Sequence, residues 1–140
     1  MSDLKQKILA KIKGPTLSAL ATMTEDGRPW VRYVTPLADK NLTFWMATFI
    51  NSRKVAQIKK NPEVHLTVGV TTPETAESYL QVQGRAEILT DEETKKAVWF
   101  DQLKGIFSGP DDPNYCVCKI IPYRIEYHTM GPVPPEVWEP

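Results

Sequence analysis

The chain has 140 residues, enough for one domain with its own hydrophobic core and too few for two of comfortable size. Hydrophobic residues at 41% and charged residues at 24% exclude a disordered chain and a coiled coil, and indicate an ordinary soluble globular protein. Seventeen Lys plus Arg balance seventeen Asp plus Glu, which removes the broad attraction of a nucleic-acid or acidic-membrane binder, so any anion site must be local.

From Ser2 to Lys13, Leu4, Ile8, Leu9 and Ile12 recur at helical spacing with lysines between them, and Gly14-Pro15 stops the run. An amphipathic N-terminal helix is expected over residues 1–14. The segment lacks a continuous apolar stretch, so it reads as neither a signal peptide nor a spanning helix, and a cytoplasmic location is the expectation. Leu17 to Met23, the turn residues Asp26-Gly27 and then Trp30 to Leu37 read as a β-hairpin. A second turn at Asp39 to Asn41 leads to a strand over Leu42 to Thr48, extending the hairpin to a three-stranded meander.

A short basic helix follows, opening at Ser52-Arg53-Lys54 and ending at Asn61-Pro62, with Val55 and Ile58 facing inward. Val64 to Val70 is a further strand and Thr71 to Ala76 a polar turn. Tyr79 to Leu89 alternates, with Leu80, Val82, Gly84, Ala86 and Ile88 on one face and Gln81, Gln83, Arg85 and Glu87 on the other. Thr90 to Glu93 has the form of a capping box for a helix reaching about Leu103. The last strand runs from about Tyr115 to Tyr127 with a kink at Pro122, and residues 129–140 form a proline-rich arm. Six strands in hairpin-like succession, three helices and no β-α-β alternation predict a mainly β fold, a closed or partly closed antiparallel barrel, as a single domain over residues 1–140.

Side-chain chemistry is sparse. His65 and His128 are the only histidines, no nucleophile elbow is present, and Asp111-Asp112 sits in a turn where aspartate serves the backbone. Cys116 and Cys118 lie two apart on a strand, where a bridge would strain the backbone, so they read as free, buried thiols in a reducing compartment. A metal site on them would need His65, His128 and carboxylates as further ligands. No metal-protease, Walker or dinucleotide fingerprint occurs.

The start of the basic helix stands out. Arg53 and Lys54 occupy a first turn, where cations oppose the helix dipole, and Ser52 is a good N-cap. A bound anion resolves that conflict, because free amides, a guanidinium fork and an ammonium together suit a phosphate. The competing reading is that both are solvated surface charges. Arg32, alone among apolar and aromatic residues in its strand, could reach the same anion. Gln81 and Gln83 offer neutral donors and acceptors of the kind that hold a heterocycle edge.

Across Thr16 to Tyr127 the chain resembles the pyridoxamine 5'-phosphate oxidase-like, FMN-binding split-barrel proteins, especially the small bacterial general-stress-protein type. The resemblance is carried by ATMTEDGRPWVRYV (Ala21 to Val34), Thr48-x-x-x-Ser52-Arg53-Lys54, Asn61-Pro62-x-Val64, V-x-G-R-A-E (Val82 to Glu87) and PYRIEY (Pro122 to Tyr127). It implies a six-stranded split barrel forming a homodimer, with FMN in two symmetric clefts at the interface. Arg32, Arg53 and Lys54 would then hold the FMN phosphate, with hydroxyl bonds from Thr48 and Ser52. Val31, Arg32, Tyr33, Val34 and Thr35 would line the isoalloxazine ring through backbone groups. Tyr79 falls where the oxidase uses a glutamine, and Tyr115 where it uses a tryptophan of the other subunit. Leu37 replaces an oxidase lysine, and the Arg-x-His substrate segment is missing after Tyr127, so pyridoxamine-phosphate oxidation itself is not expected. The expected function is that of a dimeric FMN flavoprotein, an oxidoreductase acting on a small molecule. The alternatives are a deazaflavin-dependent reductase and a non-catalytic flavin- or haem-binding stress protein.

Overall fold

The protein is described by a computed structural model covering residues 2–140; Met1, the first residue of the expected domain, lies outside them. Helix α1 (Asp3–Lys11) begins where the Ser2 hydroxyl accepts a hydrogen bond from the Lys5 amide at 3.1 Å. Strands β1 (Ser18–Met23) and β2 (Pro29–Val34) form the expected hairpin. The run expected to continue to Leu37 breaks at Thr35-Pro36, because proline has no amide for the ladder, and resumes as the two-residue β3 (Leu37–Ala38). There follow β4 (Phe44–Phe49), α2 (Arg53–Lys60), β5 (Glu63–Val68), β6 (Ser78–Leu89), α3 (Glu92–Val98), β7 (Tyr115–Thr129) and β8 (Glu136–Trp138).

The strands form one antiparallel sheet in the order β2-β1-β5-β6-β7-β4-β3, with β8 added to β7. It curls into a mainly β half-barrel of split-barrel type. The three-stranded meander is not formed: β4 pairs with β7, from Phe44 opposite Ile120 to Phe49 opposite Tyr115, rather than with β2. The inner face carries the main core, including Leu20, Phe44, Leu66, Leu80, Val82, Ile120 and Ile125, closed by Ile8 of α1, Ile12 at its C-cap and Ile58 of α2. A smaller core of Leu103, Phe107, Tyr115 and Val117 lies apart from it, packed by Trp45, Val98, Trp99 and Phe100.

Helix α3 is shorter than expected and is not capped by Thr90. Asp91 takes the cap, its Oδ2 accepting from the Thr94 amide at 2.9 Å, where a carboxylate also favours the helix dipole. The chain leaves the helix at Trp99, which is extended and packs into the smaller core, and a 3₁₀ turn covers Asp101–Gly105. The kink expected at Pro122 is a register shift opposite Gln83/Gly84. A Cβ on Gly84 would lie 2.9 Å from the Ile121 carbonyl oxygen, so this close approach admits only glycine without rearrangement.

The C-terminal arm adds β8 along Ile125 to Tyr127, a stretch of β7 that β4 does not reach. Trp138 packs on the main core, and the arm is tied by Lys7 to Glu136 at 2.6 Å and Arg124 to Glu139 at 3.2 Å. Cys116 and Cys118 are free and buried, and burial pushes the Cys118 thiol up to about 12. Among the described residues no helix is long and apolar enough to cross a membrane.

Candidate functional site

Strand β2 ends the sheet, so it offers one unpaired backbone edge. Its alternation divides the predicted residues. Arg32 and Val34 are half-buried, and Val34 packs on the main core, while Val31, Tyr33 and Thr35 are exposed. The hairpin register sets Arg32 opposite Leu20 and Trp30 opposite Thr22, which directs Arg32 toward helix α2.

There the Arg32 guanidinium is held by neutral oxygens. Nη1 donates to Thr22 Oγ1 at 2.6 Å, to the Trp30 carbonyl at 3.1 Å and to the Leu20 carbonyl at 3.4 Å, and Nη2 donates to Gln57 Oε1 at 3.1 Å. Thr22, fully buried, also donates its hydroxyl to Gln57 Oε1. The Nε–H and one Nη2 hydrogen have no partner among the described residues, so part of the guanidinium fork stays available. Thr22 and Gln57 were missed from the sequence. Their side chains are of ordinary surface type, and only the docking of α2 on β1 brings them to Arg32.

Arg53 and Lys54 open α2, whose first turn has no acidic residue. The Arg53 guanidinium lies over the Trp30 ring, 5.5 Å from its centroid. Among the described residues none of Arg32, Arg53 and Lys54 has a carboxylate within salt-bridge distance, whereas Arg85 and Lys96 each have one and Arg124 has two. Burial holds the Arg32 guanidinium below its usual value, helped by the charge of Arg53. Burial likewise lowers the Lys54 ammonium, and Arg32 adds to the effect. Arg53 thus disfavours the charge on Arg32 and Arg32 that on Lys54, each in a partly desolvated place, and an anion would relieve both.

Two hydroxyls complete the cluster. Ser52 has the extended N-cap conformation, φ −71° and ψ 155°, yet its side chain makes no cap hydrogen bond. Its Oγ and Thr48 Oγ1 are buried side-chain oxygens with no hydrogen-bond partner among the described residues. Buried hydroxyls are normally satisfied, so two orphans in the neighbourhood of three cations without a carboxylate are donors of the kind an acceptor-rich anion would use.

Three predicted residues lie elsewhere. Tyr79 shares an apolar groove of about 440 Å³ with Tyr33 and Leu17, and stacks on His128 with ring centroids 5.1 Å apart. Gln81 lines a polar cavity of about 320 Å³ with His65, Gln83, Arg124 and Glu126. Strand β6, which carries both, is separated from β2 by β1 and β5. Tyr115 belongs to the smaller core. Thr48 pairs with Cys116, so the neighbouring Tyr115 points to the opposite face, where it is 0% exposed and donates its hydroxyl to the Lys95 carbonyl at 2.8 Å. A cavity of about 710 Å³ is lined by Thr35, Leu37, Met46 and Ala47.

The family model for pyridoxamine 5'-phosphate oxidase matches residues 4–129. General stress protein 26 of Bacillus subtilis (strain 168) is 33% identical over 129 residues, 92% of this chain and 91% of that protein. The pyridoxine/pyridoxamine 5'-phosphate oxidase of Escherichia coli K12 is 36% identical over 95 residues, 66% of this chain but only 41% of the oxidase. The crystal structure of general stress protein 26 from Bacillus anthracis superposes with a TM-score of 0.82 at 31% identity, covering 99% of both chains. Three further structures share the fold alone. They are a pyridoxamine 5'-phosphate oxidase-related, FMN binding protein of Nostoc punctiforme (TM-score 0.69, 15% identity, 99% of this chain and 90% of that one), an F420 reductase (0.64, 24%, 83% and 93%) and a heme binding protein of Mycobacterium smegmatis (0.78, 14%, 99% and 59%). With the family model spanning most of its length and these relatives beside it, the chain belongs to the pyridoxamine 5'-phosphate oxidase family.

Proposed function

We propose that the protein is an FMN-binding flavoprotein, a homodimeric oxidoreductase of the pyridoxamine 5'-phosphate oxidase-related type acting on a small molecule. The observation that carries this reading is the pair of buried, unpartnered hydroxyls of Thr48 and Ser52 beside Arg32, Arg53 and Lys54. A terminal phosphate fits that donor set, since it presents several acceptor oxygens and close to two negative charges. Arg32 would bind it through the free part of its fork, Lys54 and Arg53 would neutralise it, and the unpaired backbone edge of β2 at Val31 to Thr35 would meet the polar edge of the ring. When bound, FMN supplies hydride or single-electron transfer at its isoalloxazine ring, which needs no side-chain nucleophile.

The dimer is supported by β2 itself, an edge strand whose Trp30, Val31 and Tyr33 are exposed together with Leu17. Tyr79 and Gln81, remote from the cations of their own chain, would reach the flavin of the neighbouring copy. Leu37 removes the cation with which the oxidase would hold a substrate phosphate, so a different substrate is proposed.

Titration of the purified protein with FMN, riboflavin and the deazaflavin F420 tests the reading. FMN should bind at least about a hundredfold tighter than riboflavin, the scale of two charge-assisted hydrogen bonds. Equal affinity for FMN and riboflavin would remove the phosphate site, and preference for F420 would replace FMN by the deazaflavin. Native mass spectrometry reports the dimer and its bound cofactor in one measurement.

A further inference from the structure

Trp45 is a fixed aromatic wall. Its indole N–H donates to Asp39 Oδ2 at 3.0 Å, and Asp39 is itself held because its Oδ1 accepts from the amides of Asn41 at 2.8 Å and Thr43 at 3.0 Å. The Lys119 ammonium lies over the same ring, 5.1 Å from its centroid. The tryptophan is therefore pinned along its edge before any ligand arrives, which lowers the ordering cost of stacking against it.

Trp45 lines two cavities, of about 710 Å³ and 520 Å³, that share Leu37, Trp45, Val98 and Phe100 and so adjoin one another. Each has the size of a small-molecule site. The larger is lined by Thr35, directly after β2, and by Met46 and Ala47, which precede Thr48 in β4, but by none of Arg32, Thr48, Ser52, Arg53 and Lys54. Its polar side chains are Thr35 and Gln102, both uncharged. The smaller adds two carboxylates, Asp39, which already accepts three hydrogen bonds, and Glu93, which is exposed. No Lys, Arg or His lines either cavity. A phosphate or carboxylate placed there would lose water with no lining cation to receive it, the Lys119 ammonium being held over the Trp45 ring, and would face acidic groups at one end.

We infer that this double cleft selects a flat, uncharged, largely apolar ring compound without phosphate or carboxylate groups as the small molecule presented to the flavin. The inference rests on the flavin reading for what the compound faces. Its selectivity rests on the cleft walls alone. Leu37 is the residue that decides the class, since it stands in both cavities at the end nearest β2. Ile106, exposed at the mouth of the larger cavity, is a second place where a cation would alter the choice.

The test uses 1-naphthol and 1-naphthyl phosphate, which share a ring and differ in one charged group. The full chain is titrated calorimetrically with each, first in saturating inorganic phosphate to fill the cation cluster and then with FMN. 1-Naphthol should bind about tenfold or more tightly than its phosphate ester, because the ester would bury an unpaired charge. Leu37→Lys and Ile106→Lys should each shrink that ratio several-fold by supplying the missing cation, and Trp45→Ala should weaken 1-naphthol about tenfold. The exposed Ile106 gives a reading even where the half-buried Leu37 or Trp45 variant does not fold. Equal or tighter binding of the phosphate ester, no binding of 1-naphthol, or a ratio unmoved by Ile106→Lys in a folded protein would overturn the inference. Flavin absorbance in the same samples separates the two readings. Naphthol selectivity without FMN uptake removes the flavin and supports the cleft, and FMN uptake without that selectivity removes the cleft.

Discussion

Replacing Thr48 by valine should stabilise the cofactor-free protein while weakening its hold on FMN. Valine keeps the shape of threonine and removes an Oγ1 that is buried and has no partner. An unsatisfied buried polar group costs roughly 1–3 kcal/mol, so relief of about 1–2 kcal/mol is expected in the free protein. For 140 residues, unfolding entropy at roughly 2.1 cal/mol/K per residue comes to about 0.3 kcal/mol/K, so Tm should rise by about 3–7 °C. In the complex the same hydroxyl would donate to a charged phosphate oxygen. Losing a hydrogen bond to a charged acceptor costs about 1.5–3 kcal/mol, or roughly a 10- to 150-fold weaker Kd. Differential scanning calorimetry without FMN and quenching of FMN fluorescence measure the two effects separately. Ser52→Ala repeats the test at a helix cap. An N-cap serine normally loses about 1 kcal/mol on conversion to alanine, but Ser52 makes no cap bond and its variant should be neutral or more stable. A lower Tm for Thr48→Val in the absence of FMN, or an unchanged FMN affinity, would refute the reasoning, since either means that the hydroxyl was never held open for the phosphate.

Gln57→Ala should weaken FMN by about 1–2 kcal/mol and leave riboflavin unchanged, because Gln57 orients Arg32 toward the phosphate alone; equal losses for both ligands would make it a merely structural residue. FMN affinity should also fall as pH rises from neutral toward 10.5. Burial and Arg32 hold the free Lys54 ammonium below its ordinary 10.5, so in the window just under that value the unfolded chain carries the extra proton and stability of the free protein rises with pH. A bound phosphate favours the ammonium, so binding takes up a proton there and weakens as pH climbs. Lys54→Arg should flatten the profile, and an unaltered slope in that variant would exclude Lys54 as the titrating group. Gly84→Ala should destabilise by about 1–3 kcal/mol in urea denaturation, since its Cβ would meet the Ile121 carbonyl oxygen at 2.9 Å.

Much of this protein is legible in short stretches of its chain. The lysine-spaced apolar residues of α1, the Asp26-Gly27 hairpin, the alternation of β6 and the Asn61-Pro62 stop after α2 are local signals, each set by periodicity or by one residue's backbone preference. The cations at the start of α2 were equally visible, because their conflict with the helix dipole lies within one turn. Local patterns erred where two nearby solutions compete. Asp91 rather than Thr90 caps α3, and Pro36 rather than Leu37 ends β2.

Tertiary structure alone decided which strands meet and on which faces. The pairing of β4 with β7 instead of β2 sets Thr48 beside Cys116 and turns Tyr115 to the far side of the sheet, so a residue whose type suited a flavin became core. A one-residue step reverses a strand side chain, and no pattern within β7 states which neighbour fixes the register. Thr22 and Gln57 are joined to Arg32 only because Val55 and Ile58 seat α2 on the barrel, and the Trp45 cleft exists only because α3 and the following 3₁₀ turn fold back over β4. The sequence by itself determined most of the elements and the presence of paired cations at the start of α2, since both follow from neighbours a few residues apart. The partners that hold Arg32 and the walls of the Trp45 cleft come from strands and helices far apart in the chain, whose contacts are set by the burial of shared apolar faces.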